Sequence, residues 1–358
     1  MSRFQVKGLP WSHGIGTDVS DCKTSREVIE KAKLDFIVDK CELVAKMPFS
    51  LHGNNNLGDD AFSYGGSIYR ECPNAFATYR TDLNIPLGLV KSKYEVIQNY
   101  EAFNFFDDAI GPGKAIWQNA GSFGLGHKIF ISAKLPMETT VKGDPVDHYL
   151  VFSNSHDGSS SINIMFTPVR VFCTNCLNAA LKSADSYIRI KHTRTAREKL
   201  STGAEILRIA CEYADTATQL YSSLAEIRVS DDAALEYLAK IVLTEDEYAT
   251  VKNYDKDRGI KKIAYRDYVT MNDTNISTRK ANQIHTMFDY YQNADNQRNV
   301  VGTAWGAYNA ITGYFSNVAN TSGEKRMDSI LYGGANNVML KSLNEAVLLR
   351  DYPSLRGM

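Results

Sequence analysis

The sequence predicts an α+β protein: a twisted antiparallel sheet of hairpins with packed helices, followed by a helical C-terminal part. Three observations carry that expectation. Residues 115–136 alternate apolar and polar side chains around a corner at Gly124–Gly126, the pattern of a β-hairpin. Residues 147–170 repeat the alternation around His156–Ser160, which gives a second hairpin for the same sheet. Beyond Val171 the apolar period lengthens to that of a helix, and it stays helical over most of the chain after residue 200.

Taken in order, residues 2–17 hold Pro10, Trp11 and three glycines without periodicity and read as an arm or loop. The segment SREVIEKAKLDFIV, from Ser25, reads as an amphipathic helix with Val28, Ile29, Ala32 and Phe36 on one side. Residues 52–66 are polar and turn-rich, so a loop or linker is expected. AFATYRTD and PLGLVKSKYEVIQN alternate as half-buried strands up to Asn99. From Tyr100 a helix follows, closed by a glycine C-cap at Gly111, with Tyr100, Phe103, Phe105 and Phe106 as core.

After the hairpins, residues 171–181 read as a helix and residues 187–191 as a short strand. In HTRTAREKL, Thr193 or Thr195 is the expected cap of a long helix, and Glu198 has the spacing to complete a capping box on Thr195. Residues 204–228 are helical in pattern, and Asp231 is the expected cap of the next helix. The charge-dense run 244–262 reads as a solvated linker or helix hairpin. Helices are expected over 279–291, over 302–315 with Trp305 and Tyr308 inside, and over 337–349. The organisation predicted is an N-terminal arm, helix and loop (1–72), a hairpin-sheet core with helix (73–200) and a mostly helical C-terminal region (201–358).

Composition narrows the function classes. The 358 residues carry 40 Lys+Arg against 41 Asp+Glu, so no global field draws the protein to nucleic acid or membrane, and any such attraction is local. The 6 cysteines are sparse and irregularly spaced, which suits a reducing cytoplasm better than a disulfide scaffold. No apolar leader and no run of bilayer length occurs, so a cytoplasmic protein is expected.

The runs PLGLVKSKYEVIQNYEAFNFFDDAIG, AGSFGLGHKIFISAKLP, TPVRVFCTNCLNAAL with IRIKHT after it, and GTAWGAYNAITGYF occur in that order. With them the chain resembles the phage/plasmid-like proteins grouped as domain of unknown function family 932, from about Trp11 to the last helix. That resemblance implies a phage or mobile-element origin. The order of hairpin, further strands and helix is also similar, at the level of fold, to the β-β-β-α core of the phage single-strand annealing proteins of the Red-beta, RecT and Erf types.

Annealing would require a positively charged groove that grips one strand by its phosphates and leaves the bases exposed. Candidate contacts are Arg189, Lys191, His192, Arg194 and Arg197 in the basic stretch after the hairpins, with Lys128 and Lys134 on the first hairpin and Arg170 at the end of the second. The function expected is therefore binding and annealing of single-stranded DNA in recombination, without ATP, cofactor or catalytic residue, by a ring or helical homo-oligomer.

Two rivals stand beside it. One is a phage accessory or counter-defence factor that binds a protein or small ligand. The other is an enzyme built on Cys173 and Cys176, or on Asp144, Asp147, His148, His156 and Asp157 as a metal cluster. The glycines of GSFGLGHK lack the spacing of a phosphate loop and fit a hairpin corner instead.

Overall fold

The computed structural model describes residues 16–47, 61–110, 116–170, 173–174, 187–202, 216–254, 276–320, 323–331 and 333–351. The strands are β1 (Thr17–Asp18), β2 (Val38–Met47), β3 (Ala61–Tyr64), β4 (Ser67–Arg80), β5 (Ile85–Lys91), β6 (Ile116–Phe123), β7 (Lys128–Val141), β8 (Asp144–Ser155), β9 (Ile162–Arg170), β10 (Cys173–Thr174) and β11 (Tyr187–Ile190). The first helices are α1 (Ser25–Lys31), α2 (Asn99–Ile110), α3 (Ala196–Leu200) and α4 (216–226). The later ones are α5 (Asp231–Val242), α6 (Glu245–Tyr254), α7 (Thr278–Asn293), α8 (Ala304–Gly313), α9 (Gly323–Leu331) and α10 (Gly334–Val347).

Both expected hairpins form and share one sheet. It has seven strands in the order β1-β6-β7-β8-β9-β10, with β11 also pairing β9, and its ladders are antiparallel. From His148 to Ser155 every residue of β8 is buried, so both faces of the sheet are covered at its centre. On one face Phe152 meets Phe103 of α2 edge-on, with ring centroids 5.8 Å apart.

The alternation of the N-terminal strands gives a second sheet rather than an extension of the first. In it β2-β4-β3 lie side by side and β5 pairs β4. Period-two patterning fixes which side chains share a face but not which strands pair, so the sequence left this division open. The polar stretch expected as a loop contributes β3 at its end. Gly65 and Gly66 have φ of 56° and 73° and turn the chain back into β4, a conformation that glycine adopts without strain.

The two sheets meet at the turn between β8 and β9. At Gly88 of β5 a side chain has no room, because a Cβ there would lie 2.2 Å from the backbone oxygen of Asp157. Thr78 Oγ1 of β4 donates to the carbonyl of His156 at 2.6 Å. Arg80 stacks over Phe36 and donates from Nη1 to the carbonyl of Leu125, in the β6–β7 turn, at 3.0 Å.

Helix ends depart from expectation in several places. α1 stops at Lys31, and Lys33 adopts φ 55°, so Phe36 joins the core from the loop beyond the helix rather than from its face. The cap of α5 is the hydroxyl of Ser230, which accepts from Ala233 N, not Asp231. Thr195 precedes α3 but its side chain makes no capping bond, so the capping box does not form. Residues 94–98 are not a strand but a connection into α2, Tyr100 is exposed, and the charged run after Thr244 opens with α6. The expected C-cap at Gly111 and most of the first part of 204–228 lie outside the described residues; of the helix expected over 171–181 only Cys173 and Thr174 are described, and they are not helical but pair with Arg170 and Val169 as strand β10.

A hydrophobic cluster runs from Val19 to Leu349 and joins sheet and C-terminal helices. Trp305 and Tyr308 of α8 are fully buried, as expected, and Trp305 lies against Tyr221 with centroids 4.2 Å apart. Lys142, in the β7–β8 turn, donates to the carbonyl of Ala225 at 2.8 Å and ties α4 to the far end of the sheet. Among the described residues no helix is long and apolar enough to cross a membrane.

The seam makes Gly88 sensitive. Gly88→Ala is expected to destabilise the fold by about 1–3 kcal/mol, as overpacking of a close contact does. Urea unfolding measures it, and a G88A midpoint equal to that of the parent would refute the closeness of the two sheets.

Candidate functional site

The seam creates an open groove of about 630 Å³. One wall is the end of β5 and the residues after it, Leu89 to Tyr94; the second is the β8–β9 turn, Gly158 to Ser161; the third is the end of β11 with Lys191, His192 and Thr193. Four cationic side chains line it, Lys91, Lys93, Arg189 and Lys191, all exposed, and among the described residues no carboxylate does. The hydroxyls of Ser159, Ser160, Ser161 and Thr193 add neutral hydrogen-bonding groups. Clustered cations and hydroxyls suit a phosphate or another anion.

The floor is rigid. Tyr94 and His192 stack with ring centroids 4.4 Å apart. Tyr94 donates its phenol to the carbonyl of Ser155 at 2.7 Å, and burial, then the charge of Asp157, pushes that phenol's pKa up. The backbone N–H of Glu95 donates to the carbonyl of His192 at 3.2 Å, and His192 Nδ1 lies 3.1 Å from the carbonyl of Glu95. A carbonyl only accepts, so the proton of His192 is on Nδ1. The second nitrogen, Nε2, is buried without a partner among the described residues.

Behind this pair lies His156, fully buried. Its Nε2 meets Asn99 Oδ1 at 2.8 Å while Asn99 Nδ2 donates to the carbonyl of Leu34 at 2.8 Å, which fixes the amide and puts the His156 proton on Nε2. Burial lowers the pKa of His192 to about 4. Burial, then the neighbouring His192, lowers that of His156 to about 3. Two neutral imidazoles therefore support the groove at neutral pH.

The eight residues expected to form one track do not converge. Arg189, Lys191 and His192 come together in the groove, His192 as floor rather than as surface cation. Lys128 lies nearby at the start of β7 and lines a separate cavity. Lys134 pairs with Asp147 at 2.9 Å, part-way along the sheet. Arg170 is at the opposite end of β9 from the groove, eight residues or about 26 Å away at the rise of a strand.

Arg194 is exposed but outside the groove lining. Arg197 is turned to carboxylates, with Nε 3.1 Å from Glu101 and Nη1 3.8 Å from Glu95. Lys91 and Lys93 also line the groove but are not among the residues that the sequence singles out. Their signal was two lysines at alternate positions leaving a strand, which also describes an ordinary solvated edge.

The metal-ligand candidates have structural partners. His148 Nε2 meets Thr139 Oγ1 at 2.8 Å, Asp144 receives the Trp305 indole N–H at 3.4 Å, and Asp147 holds Lys134. Asp157 folds into its own turn, accepting from Ser155 Oγ at 2.5 Å and Ser159 N at 2.9 Å. Burial raises its carboxyl pKa, but those bonds and the Lys128 charge outweigh burial and leave it below the ordinary value. Among the described residues no three His, Cys, Asp or Glu side chains gather as a metal site. Cys173 is in β10, and Cys176 lies outside the described residues.

The buried imidazoles predict an acid-labile fold. Below the ordinary histidine value of 6.5 the unfolded chain takes up protons that the folded chain refuses until about pH 4 at His192 and about pH 3 at His156. Stability is then full above pH 6.5 and falls with pH below it, by up to about 1.4 kcal/mol per pH unit for each histidine. His192→Asn keeps a donor for the Glu95 carbonyl and removes one of the two protons. Urea midpoints measured between pH 7 and pH 4 should show a shallower decline for H192N, and an unchanged slope would exclude His192 as a neutral buried group.

No curated protein and no solved structure matches this chain. A family model, described as Domain of unknown function (DUF932), matches residues 86–331, a span that contains the four cations of the groove, the β8–β9 turn and both histidines. With more than half its length matched, the chain belongs to the family of that domain of unknown function.

Proposed function

We propose that the groove holds the sugar–phosphate backbone of single-stranded DNA and that the protein pairs complementary strands without ATP. In this reading it acts in recombination for a phage or mobile element, in the host cytoplasm, as the single-strand annealing proteins do. The observation that carries it is the meeting of Lys91, Lys93, Arg189 and Lys191, from separate chain segments, in one groove. In a chain with 40 basic and 41 acidic residues such a gathering stands out against the background.

The aromatic floor favours a single strand held with its bases outward. Tyr94 and His192 stack on each other, so the groove offers phosphate contacts more than a platform for bases. Outward bases are what a second strand needs to pair. Annealing by this route involves no bond making, and so no cofactor or catalytic residue.

Assembly into a ring or helical oligomer belongs to the same reading. Its support is the far end of the four-stranded sheet, where Phe62 and Tyr64 of β3 are 49% and 75% exposed and Val44 and Met47 of β2, on the other side of β4, are also exposed. Size-exclusion mass with and without oligonucleotide tests it; a monomer under both conditions would remove the oligomer from the proposal.

Binding is tested by fluorescence anisotropy of a labelled oligothymidylate as a function of salt. Arg189→Gln combined with Lys191→Gln should weaken binding about tenfold or more and lower the slope of log affinity against log salt by about 1.4, at about 0.7 per lost contact to a single strand. Arg197→Gln should change neither, because its guanidinium is held by Glu95 and Glu101. Equal, salt-independent inertness of parent and variants would reject DNA as the ligand.

A further inference from the structure

A second cavity, of about 470 Å³, opens on the other side of the β8–β9 turn, lined by Lys128, His127 and Asp157 from the sheet and by Lys325 and Ser329 from α9. Strand direction places it on the same rim as the basic groove. In antiparallel order the β6–β7 turn, the β8–β9 turn and the exit of β11 lie at one end of the sheet, and His156 N donates to the carbonyl of His127 at 2.7 Å between the two turns.

Register also places Lys128 and Arg189 on the same face. Lys128 is opposite Ser155, Ser153 is opposite Asn163, and Asn163 is opposite Arg189. Directly opposed residues share a face, and so do residues two apart on one strand. From β7 to β11 there are three strand spacings, about 14 Å.

We infer that the second cavity continues the path of the bound strand, which runs along this rim from Arg189 and Lys191 to Lys128 and Lys325. The inference rests on the reading of the basic groove as a DNA site and extends its length. Asp157 lies beside the path but does not bar it. Its carboxylate accepts from Ser155 and Ser159 within its own turn, and the charge of Lys128 acts on it. Lys325 is exposed, so replacing it leaves the core intact.

The experiment uses the full chain and a labelled oligothymidylate of about 20 nucleotides, longer than both cavities together. Lys325→Gln is expected to weaken binding severalfold and to lower the salt slope by about 0.7, and Lys325→Glu to weaken it further. If R189Q/K191Q weakens binding while K325Q and K325E leave affinity and slope unchanged, the strand ends at the first groove and the inference falls. If none of these variants has an effect, the DNA reading of the groove falls with it. Circular dichroism of each variant separates a lost contact from a lost fold.

Discussion

The contact on which the candidate site depends is the bare backbone approach of β5 to the β8–β9 turn. Gly88 meets Asp157 without a side chain between them, Thr78 anchors the same turn through the His156 carbonyl, and Arg80 reaches the adjacent β6–β7 turn. These contacts hold a four-stranded sheet against one end of a seven-stranded sheet. A larger residue at 88 would push β5 away from the turn, and the wall carrying Lys91 and Lys93 would move with it.

Around this seam side chains meet the backbone groups of an irregular connection. The connection from Tyr94 to Asn99 threads between the sheets and binds both: Gln98 donates to the Val38 carbonyl and accepts from its N–H, Asn154 donates to the Ile97 carbonyl, and Asn99 bridges Leu34 and His156. Each of these side chains answers a backbone group that the irregular connection would otherwise leave unsatisfied. The histidines belong to this framework and are neutral because burial disfavours the charged ring. The positive charge of the groove therefore comes from lysine and arginine, not from histidine.

At the other end of the large sheet the packing is mostly apolar. Trp305 of α8 lies on Tyr221 and reaches Asp144 at the start of β8, so the helical part is joined to the sheet opposite the groove. Rim and helical buttress thus occupy separate ends, apart from α9, whose Lys325 and Ser329 come round to the rim. That arrangement leaves surface cations at the rim at little cost to the core.

The sequence by itself determined the local elements. Alternation around Gly124–Gly126 and His156–Ser160 gave both hairpins, helical spacing gave α7, α8 and α10, and the small and aromatic residues of 302–315 marked Trp305 and Tyr308 as interior. It also placed Arg189 and Lys191 among the candidate contacts. Tertiary structure alone decided the division into two sheets, the pairing of Arg197 with Glu95 and Glu101, and the arrival of Lys91 and Lys93 beside Arg189 and Lys191. The physical reason is range: dihedral preference and periodicity act within a few residues, whereas the groove joins side chains about a hundred residues apart, brought together only when the two sheets close on Gly88.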